Sequence, residues 1–339
     1  MVRLAYALKI PADTWVASLL VEEQRSDRLV EAAGLLLQVS DYHLARCLLV
    51  RAYFLERKRS GHGRNDIYRM LGRMSFEQRR YSQALLWFRL FERAVSRGAN
   101  ANLQATARYN VGLALAKLDR PVDAVKKLDE SAAAFARLHL QEETGSASLH
   151  KANVLLAMRL YPQADTTYRR AAYLLRRTSL HAEALLGIAI ATWRLRGPAV
   201  ALPLLRKIAE APTASEVVHV KARAGMASAL RELGRYSDAL HEAAAGLEAQ
   251  ERIPTAVVSA LLTEQALSNL LQGDMSAARC AHEAFCSLEG EKYGQDIAAM
   301  HILASALGVR PPADTMPAIV EDAHEMRIAA ALEVMAAVP

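Results

Sequence analysis

The sequence predicts an all-α solenoid of about seven helical hairpins with a C-terminal helical cap. Three observations predict this class. Of the 339 residues, 52% are hydrophobic but only 6% are aromatic, and such an Ala- and Leu-rich composition favours helix. The chain also exceeds the roughly 250–300 residues that one compact core can hold. Finally, it repeats itself about every 40 residues, as an array of stacked units does.

Seven alanines mark the repeat, each at the same place in a short segment that begins with a turn. Examples of these segments are "RYSQALLWF", "RPVDAVKKL" and "RYSDALHEA". Successive alanines are 37 to 40 residues apart. They are Ala45, Ala84, Ala124, Ala164, Ala201, Ala239 and Ala277. A small residue at this interval indicates that two helices cross closely in every repeat.

A second set of mostly small residues lies twelve positions before these alanines, on the preceding predicted helix. It comprises Ala33, Gly72, Gly112, Ala152, Ala189, Ala227 and, as an exception in size, Gln265. The segment "IYRMLGRMSFEQRRYSQALLWF" carries the fullest pattern. The pattern resembles the tetratricopeptide repeat (TPR) over residues 26–291. This resemblance implies seven TPR-like hairpins stacked in a right-handed α-α superhelix.

Residues 292–339 follow the repeats and are predicted to form capping and dimerisation helices. "QDIAAMHILASALG" predicts a helix at 295–308 that closes the stack, and the prolines of "PPADTMP" at 311–317 predict a break. The apolar stretch after the break predicts a last helix. That helix either folds back onto the stack or meets a second subunit. The protein is expected to be a homodimer.

The first residues of the chain, "RLAYALKIPADTW", resemble the end of the lambda-repressor-like helix-turn-helix domain, the XRE family. The matching residues are Leu4, Ala5, Ala7, Leu8 and Ile10. Lys9 departs from the family, which usually has glycine at this helix end. Residues 1–20 are therefore interpreted as a remnant of that domain, either because the sequence begins inside the coding frame or because the DNA-reading half was lost. No DNA-contacting residue can be assigned in this chain.

A helix-turn-helix domain followed by TPR repeats resembles the peptide-pheromone receptors of the Rgg and PlcR kind. The resemblance implies a bacterial transcriptional regulator whose repeats bind a short peptide in a concave groove, dimerise and control the DNA-binding head. The alternative is a stand-alone TPR scaffold that joins proteins, with residues 1–20 as a cap on the solenoid. Control of a phosphorylation partner, as in Rap proteins, would require an N-terminal helical bundle and ranks lower.

The resemblance assigns the groove to certain positions on the first helix of each hairpin. The residues at these positions that suit a peptide or protein partner are Arg69, Arg73, Asn110, His150, Asn153, Trp193, Lys221, Ser228, Arg231 and Asn269. An Asn side chain both donates and accepts, so it can pair with any extended peptide backbone. The alternative for each polar residue is a solvated helix face.

Three cations and one aromatic ring in this set have more specific expected roles. Arg69, Arg73 and Lys221 are expected to meet a carboxylate, such as a peptide C-terminus. Trp193 is expected either to anchor an apolar ligand side chain or to pack into the interface of its own hairpin.

Other classes of function have little support in the sequence. There is no Gly-rich phosphate loop, His-Glu-x-x-His or Gly-x-Ser-x-Gly motif, so we expect no enzyme, cofactor or metal. The basic, aromatic segment "RRYSQALLWFRLFERAVSR" would suit nucleic acid, but its rings occupy core positions of the repeat. The sequence has three cysteines, none in a Cys-x-x-Cys pair, and shows no leader and no apolar membrane span. These features predict a cytoplasmic protein.

Overall fold

The computed structural model describes residues 23, 25–39, 41–57, 64–96, 98–289, 292 and 294–313. This part of the chain contains fifteen α-helices and one short 3-10 helix, and no strand. The prediction of an all-α fold of TPR-like helical hairpins is confirmed. Residues 1–20, interpreted as a helix-turn-helix remnant, and the helix predicted after residue 317 lie outside the described residues.

The described residues up to Leu160 form one compact unit. Its helices are α1 (Ser26–Gln38), α2 (Tyr42–Arg57), α3 (Arg64–Glu77), α4 (Tyr81–Val95), α5 (Ala101–Lys117), α6 (Pro121–Arg137) and α7 (Gln141–Ala157). Each helix packs against the next one in the chain. The first, third, fifth and seventh helices correspond to the predicted first helices of successive repeats.

The described residues from Tyr161 onward form a second compact unit. Its helices are α8 (Tyr161–Leu174), α9 (His181–Arg196), α10 (Pro198–Ala209), α11 (Glu216–Glu232), α12 (Tyr236–Leu247), α13 (Thr255–Leu271), α14 (Met275–Ser287) and α15 (Gly294–Leu307), with a 3-10 turn at Gln250–Arg252. Neighbouring helices again pack against one another. None of the helices in the described ranges is both long and apolar enough to cross a membrane.

The alanines that mark the repeat lie in the core. Six of the seven are completely buried, namely Ala45, Ala84, Ala124, Ala164, Ala201 and Ala239. Ala277, in the last repeat, is only partly buried. The regular spacing of these alanines in the sequence therefore arises from one close helix–helix contact that recurs from repeat to repeat.

Two helical glycines, of which Gly72 belongs to the second small-residue set, face large aromatic rings. A Cβ atom on Gly72 of α3 would lie 2.4 Å from Cε1 of Phe88 on α4. In the second unit, a Cβ atom on Gly187 of α9 would lie 2.3 Å from Cε1 of Tyr168 on α8. These separations are far below van der Waals contact, so each ring occupies the space that a side chain would need.

The predicted cap helix is present as α15, which packs against α13 and α14. It carries a buried carboxyl group, Asp296, whose Oδ2 lies 2.8 Å from Oγ of Ser259 on α13. The Ser259 hydroxyl is also 2.9 Å from the carbonyl oxygen of Ala256, which can only accept. Because the hydroxyl has one proton, both contacts become hydrogen bonds when a protonated Asp296 donates to Ser259.

Burial raises the pKa of Asp296 to about 7, more than the Ser259 hydrogen bond lowers it. Between its ordinary pKa near 4 and this value, the folded state holds a proton that the unfolded state has lost. Stability should therefore fall as pH rises through this window, by about 1 kcal/mol per pH unit. Denaturant unfolding from pH 4 to 8 should show this slope in the wild type and a flatter profile in Asp296→Asn. Parallel profiles would contradict the assignment.

Candidate ligand-binding groove

A groove of about 480 Å³ opens on the first unit, where the first helices of three successive repeats, α3, α5 and α7, face it. It is lined by Arg69, Arg73, Phe76, Glu77, Phe88, Thr106, Tyr109, Asn110, Leu113, Phe135, Glu142, Glu143 and Ser146. The groove thus lies on the surface to which the sequence assigned ligand binding. Ligand sites commonly combine apolar walls with converging polar groups, and this groove has both.

Aromatic and aliphatic side chains form the floor of the groove. Phe88 on α4 and Phe135 on α6 are each only 4% exposed, so the second helices of two hairpins close the base. Phe76, Leu113 and Tyr109 are partly buried above them. The close approach of Gly72 to Phe88 holds α3 against this ring. The base of the groove is therefore apolar.

The two predicted arginines lie together on the α3 side of the groove, and both already have a carboxylate partner. Nη2 of Arg69 is 3.0 Å from Oδ1 of Asp66, and Nε of Arg73 is 2.7 Å from Oε1 of Glu77. An acidic ligand would have to compete with these side chains. That Arg69 and Arg73 meet a ligand carboxylate stays a prediction.

Asn110 lies at mid-groove on α5, beside Tyr109. Burial raises the pKa of Tyr109 to about 12, so its phenol is neutral. The Tyr109 hydroxyl lies 3.2 Å from Nδ1 of His150 on α7. That Nδ1 is also 2.8 Å from the carbonyl oxygen of Ser146, which can only accept, so Nδ1 carries a proton and donates. His150 thus supports the wall behind Tyr109, whereas Asn153 is exposed elsewhere on α7.

The predicted site residues of the second unit have other surroundings. Trp193 is 7% exposed in a core cluster and donates through Nε1 to Oε2 of Glu232 at 2.9 Å. This is the alternative role foreseen for Trp193, packing into the repeat interface. Lys221 lies 3.8 Å from a carboxylate oxygen of Glu183. Asn269 is partly exposed on α13.

Arg231 also forms a contact within the protein. Its Nε donates to Oε2 of Glu264 at 2.6 Å, and its Nη2 donates to Oε1 of the same carboxylate at 3.4 Å. A weak contact of 3.5 Å joins Nη2 to Oγ of Ser228. The two charged side chains are 11% and 12% exposed. Arg231 and Ser228 are thus parts of a largely buried ion-pair network.

Several groove residues escaped the sequence analysis. Glu142 and Glu143 stand in the first turn of α7, where acidic residues commonly stabilise a helix. Phe88 matches a core position of the repeat and Phe135 is a buried residue of α6, and only the structure shows that their rings also face the groove. Within the described ranges, no group of three or more His, Cys, Asp and Glu side chains is arranged to hold a metal ion.

No family model matches the sequence, and no curated protein matches it significantly. Solved structures do. The quorum sensor NprR from B. thuringiensis, in its apo form, is 13% identical, with a TM-score of 0.63 over 91% of this chain and 87% of that one. The fold is TPR-like.

Two further solved structures support the same fold assignment. A Rap protein complexed with competence and sporulation factor is 12% identical and has a TM-score of 0.62, over 99% of this chain and 93% of that one. A tetratricopeptide repeat protein from Parabacteroides merdae is 14% identical and has a TM-score of 0.61, over 84% of this chain and 97% of that one. At such identities the likeness concerns the TPR-like fold alone.

Proposed function

We propose that this chain is the sensory part of a regulator and binds a short peptide in the groove between α3, α5 and α7. The observation that carries the proposal is the groove itself, about 480 Å³ in volume, with buried rings at its base and polar side chains at its edges. Its apolar floor suits a ligand side chain, and its polar edges suit a peptide backbone.

Asn110 is the residue best placed to recognise the backbone. Its amide offers a donor and an acceptor, which match the N–H and C=O groups of an extended peptide whatever the peptide sequence. The fold likeness to a quorum sensor supports a sensory role of this kind. The fold likeness to a Rap protein complexed with competence and sporulation factor supports a ligand-binding role in the same way.

Retention of a random heptapeptide mixture on the immobilised full chain tests this function. We expect retention above a protein-free resin, and Asn110→Ala should lower the affinity of retained peptides about tenfold, since a buried backbone pair is left unmade. Asn102→Ala on the same helix is the matched control, because Asn102 is exposed outside the groove. Equal retention by resin and protein, or equal losses in the two variants, would refute the proposal.

The finer form of this proposal is a transcriptional regulator of the helix-turn-helix kind that acts as a dimer. The resemblance of residues 4–10 to the end of such a domain supports it. The mass of the native protein and the coding frame before Met1 test it. Two further helices with Arg, Gln or Asn on the second would support DNA control. A native start at Met1 would instead favour a stand-alone interaction scaffold.

A further inference from the structure

The groove carries a charge opposite to that of the whole chain. The protein has a formal net charge of +6, yet two arginines and three glutamates line the groove. Asp66, which pairs with Arg69, adds another negative charge beside its edge. The groove is therefore a locally acidic site on a basic protein.

The acidic charge is uneven across the groove. On the α3 side, each arginine is neutralised by a carboxylate of its own helix, Asp66 or Glu77. On the α7 side, Glu142 and Glu143 are exposed, and neither has an ion pair with any residue that the structure describes. The field at this edge is thus that of two carboxylates without a cationic side-chain partner, moderated only by the first turn of α7 in which they lie.

We infer that the occupant of the groove is a short cationic peptide, with a large apolar side chain on the aromatic floor and a basic group facing Glu142 and Glu143. This inference rests on the peptide-binding function proposed above. Charge complementarity selects the occupant, because an acidic peptide would meet unpaired carboxylates at one edge and already occupied arginines at the other.

The positions of the floor and the edge make both contacts available to one ligand. Phe88 and Phe135 close the base, and Glu142 and Glu143 line the same groove on the neighbouring first helix. A Lys or Arg side chain can lay its methylene stem along the rings and leave its charged end near the carboxylates. Because these carboxylates are exposed, ionic strength should modulate the attraction.

The composition of captured peptides tests the inference. A random heptapeptide mixture is passed over the immobilised full chain, and the retained peptides are sequenced by mass spectrometry. Relative to the input, Lys and Arg should be enriched about threefold or more over Asp and Glu, together with large apolar residues. Raising the salt from 0.05 to 0.5 M should lower this enrichment, as expected for partly exposed charges.

Three double variants attribute the effect to the α7 edge. Glu142→Gln/Glu143→Gln should weaken binding of a retained basic peptide about tenfold. Glu248→Gln/Glu251→Gln removes the same charge from exposed positions outside the groove and should change it less than twofold. Glu142→Lys/Glu143→Lys should reverse the preference toward acidic peptides, which a misfolded protein would not do.

The outcomes separate this inference from the proposed function. Peptides retained without a basic bias, or with an acidic one, would overturn the cationic ligand and leave peptide binding intact. No retention of any peptide above the resin would overturn both. Basic enrichment that persists in Glu142→Gln/Glu143→Gln would also overturn the inference, because the preference would then arise elsewhere.

Discussion

Gly187→Ala is expected to destabilise the second unit by about 3 kcal/mol. The added Cβ would lie 2.3 Å from Cε1 and 2.5 Å from Cδ1 of Tyr168. The ring cannot move away easily, because Tyr168 is only 1% exposed and is enclosed by core residues. Either the two helices separate or the ring leaves its favoured rotamer, and both cost stability. Denaturant unfolding followed by circular dichroism measures the effect.

The control for this prediction is Gly98→Ala, since Gly98 is exposed and a Cβ there would meet only a backbone oxygen at 3.4 Å. We expect a change within about 0.5 kcal/mol. In the Tyr168→Leu background the smaller side chain leaves more room, so Gly187→Ala should lower the free energy of unfolding less than it does beside Tyr168. A Gly187→Ala protein as stable as the wild type would contradict the close helix contact.

Arg231→Met is expected to cost about 3 kcal/mol, because it leaves the carboxylate of Glu264 largely buried without its partner. The pair is only 11% and 12% exposed, and its shortest N–O distance is 2.6 Å. Arg235→Met is the matched control in the same unit, because its pair with Asp238 is 52% and 53% exposed. The control should cost less than about 1 kcal/mol. Urea unfolding of both variants measures the difference.

Replacing both charges should recover much of the loss, since Arg231→Met/Glu264→Leu leaves no uncompensated ion. Comparison of these variants also tests whether Arg231 stabilises the fold or binds a ligand. A network that stabilises the fold predicts this recovery. If Arg231→Met and Arg235→Met have the same small effect, Arg231 is free for a ligand and the structural role is wrong.

The repeat was predictable from the sequence because its cause is local and steric. Ala84 and Ala124 are completely buried, so a larger side chain there would overpack the core, and the same small residue returns in repeat after repeat. The glycines report a further constraint, since Gly72 and Gly187 each face an aromatic ring. Size restrictions of this kind remain visible in one sequence without any coordinates.

The groove was predictable only in part. Arg69, Arg73 and Asn110 line it as the helix positions implied. Ion pairs and hydrogen bonds between different helices were not predictable, because these partners depend on how neighbouring repeats pack. Trp193 and Arg231 illustrate this: their partners, Glu232 and Glu264, lie 39 and 33 residues further along the chain.

The central claim is that a short peptide occupies the groove on the first unit, and photo-cross-linking tests it most directly. A retained heptapeptide is resynthesised with a photoreactive phenylalanine in place of its large apolar residue, and the cross-linked protein is digested and sequenced. The account predicts cross-links on α3 to α7, concentrated near Phe88, Tyr109 and Phe135. Cross-links that fall outside residues 64–157, and that survive Asn110→Ala unchanged, would contradict it.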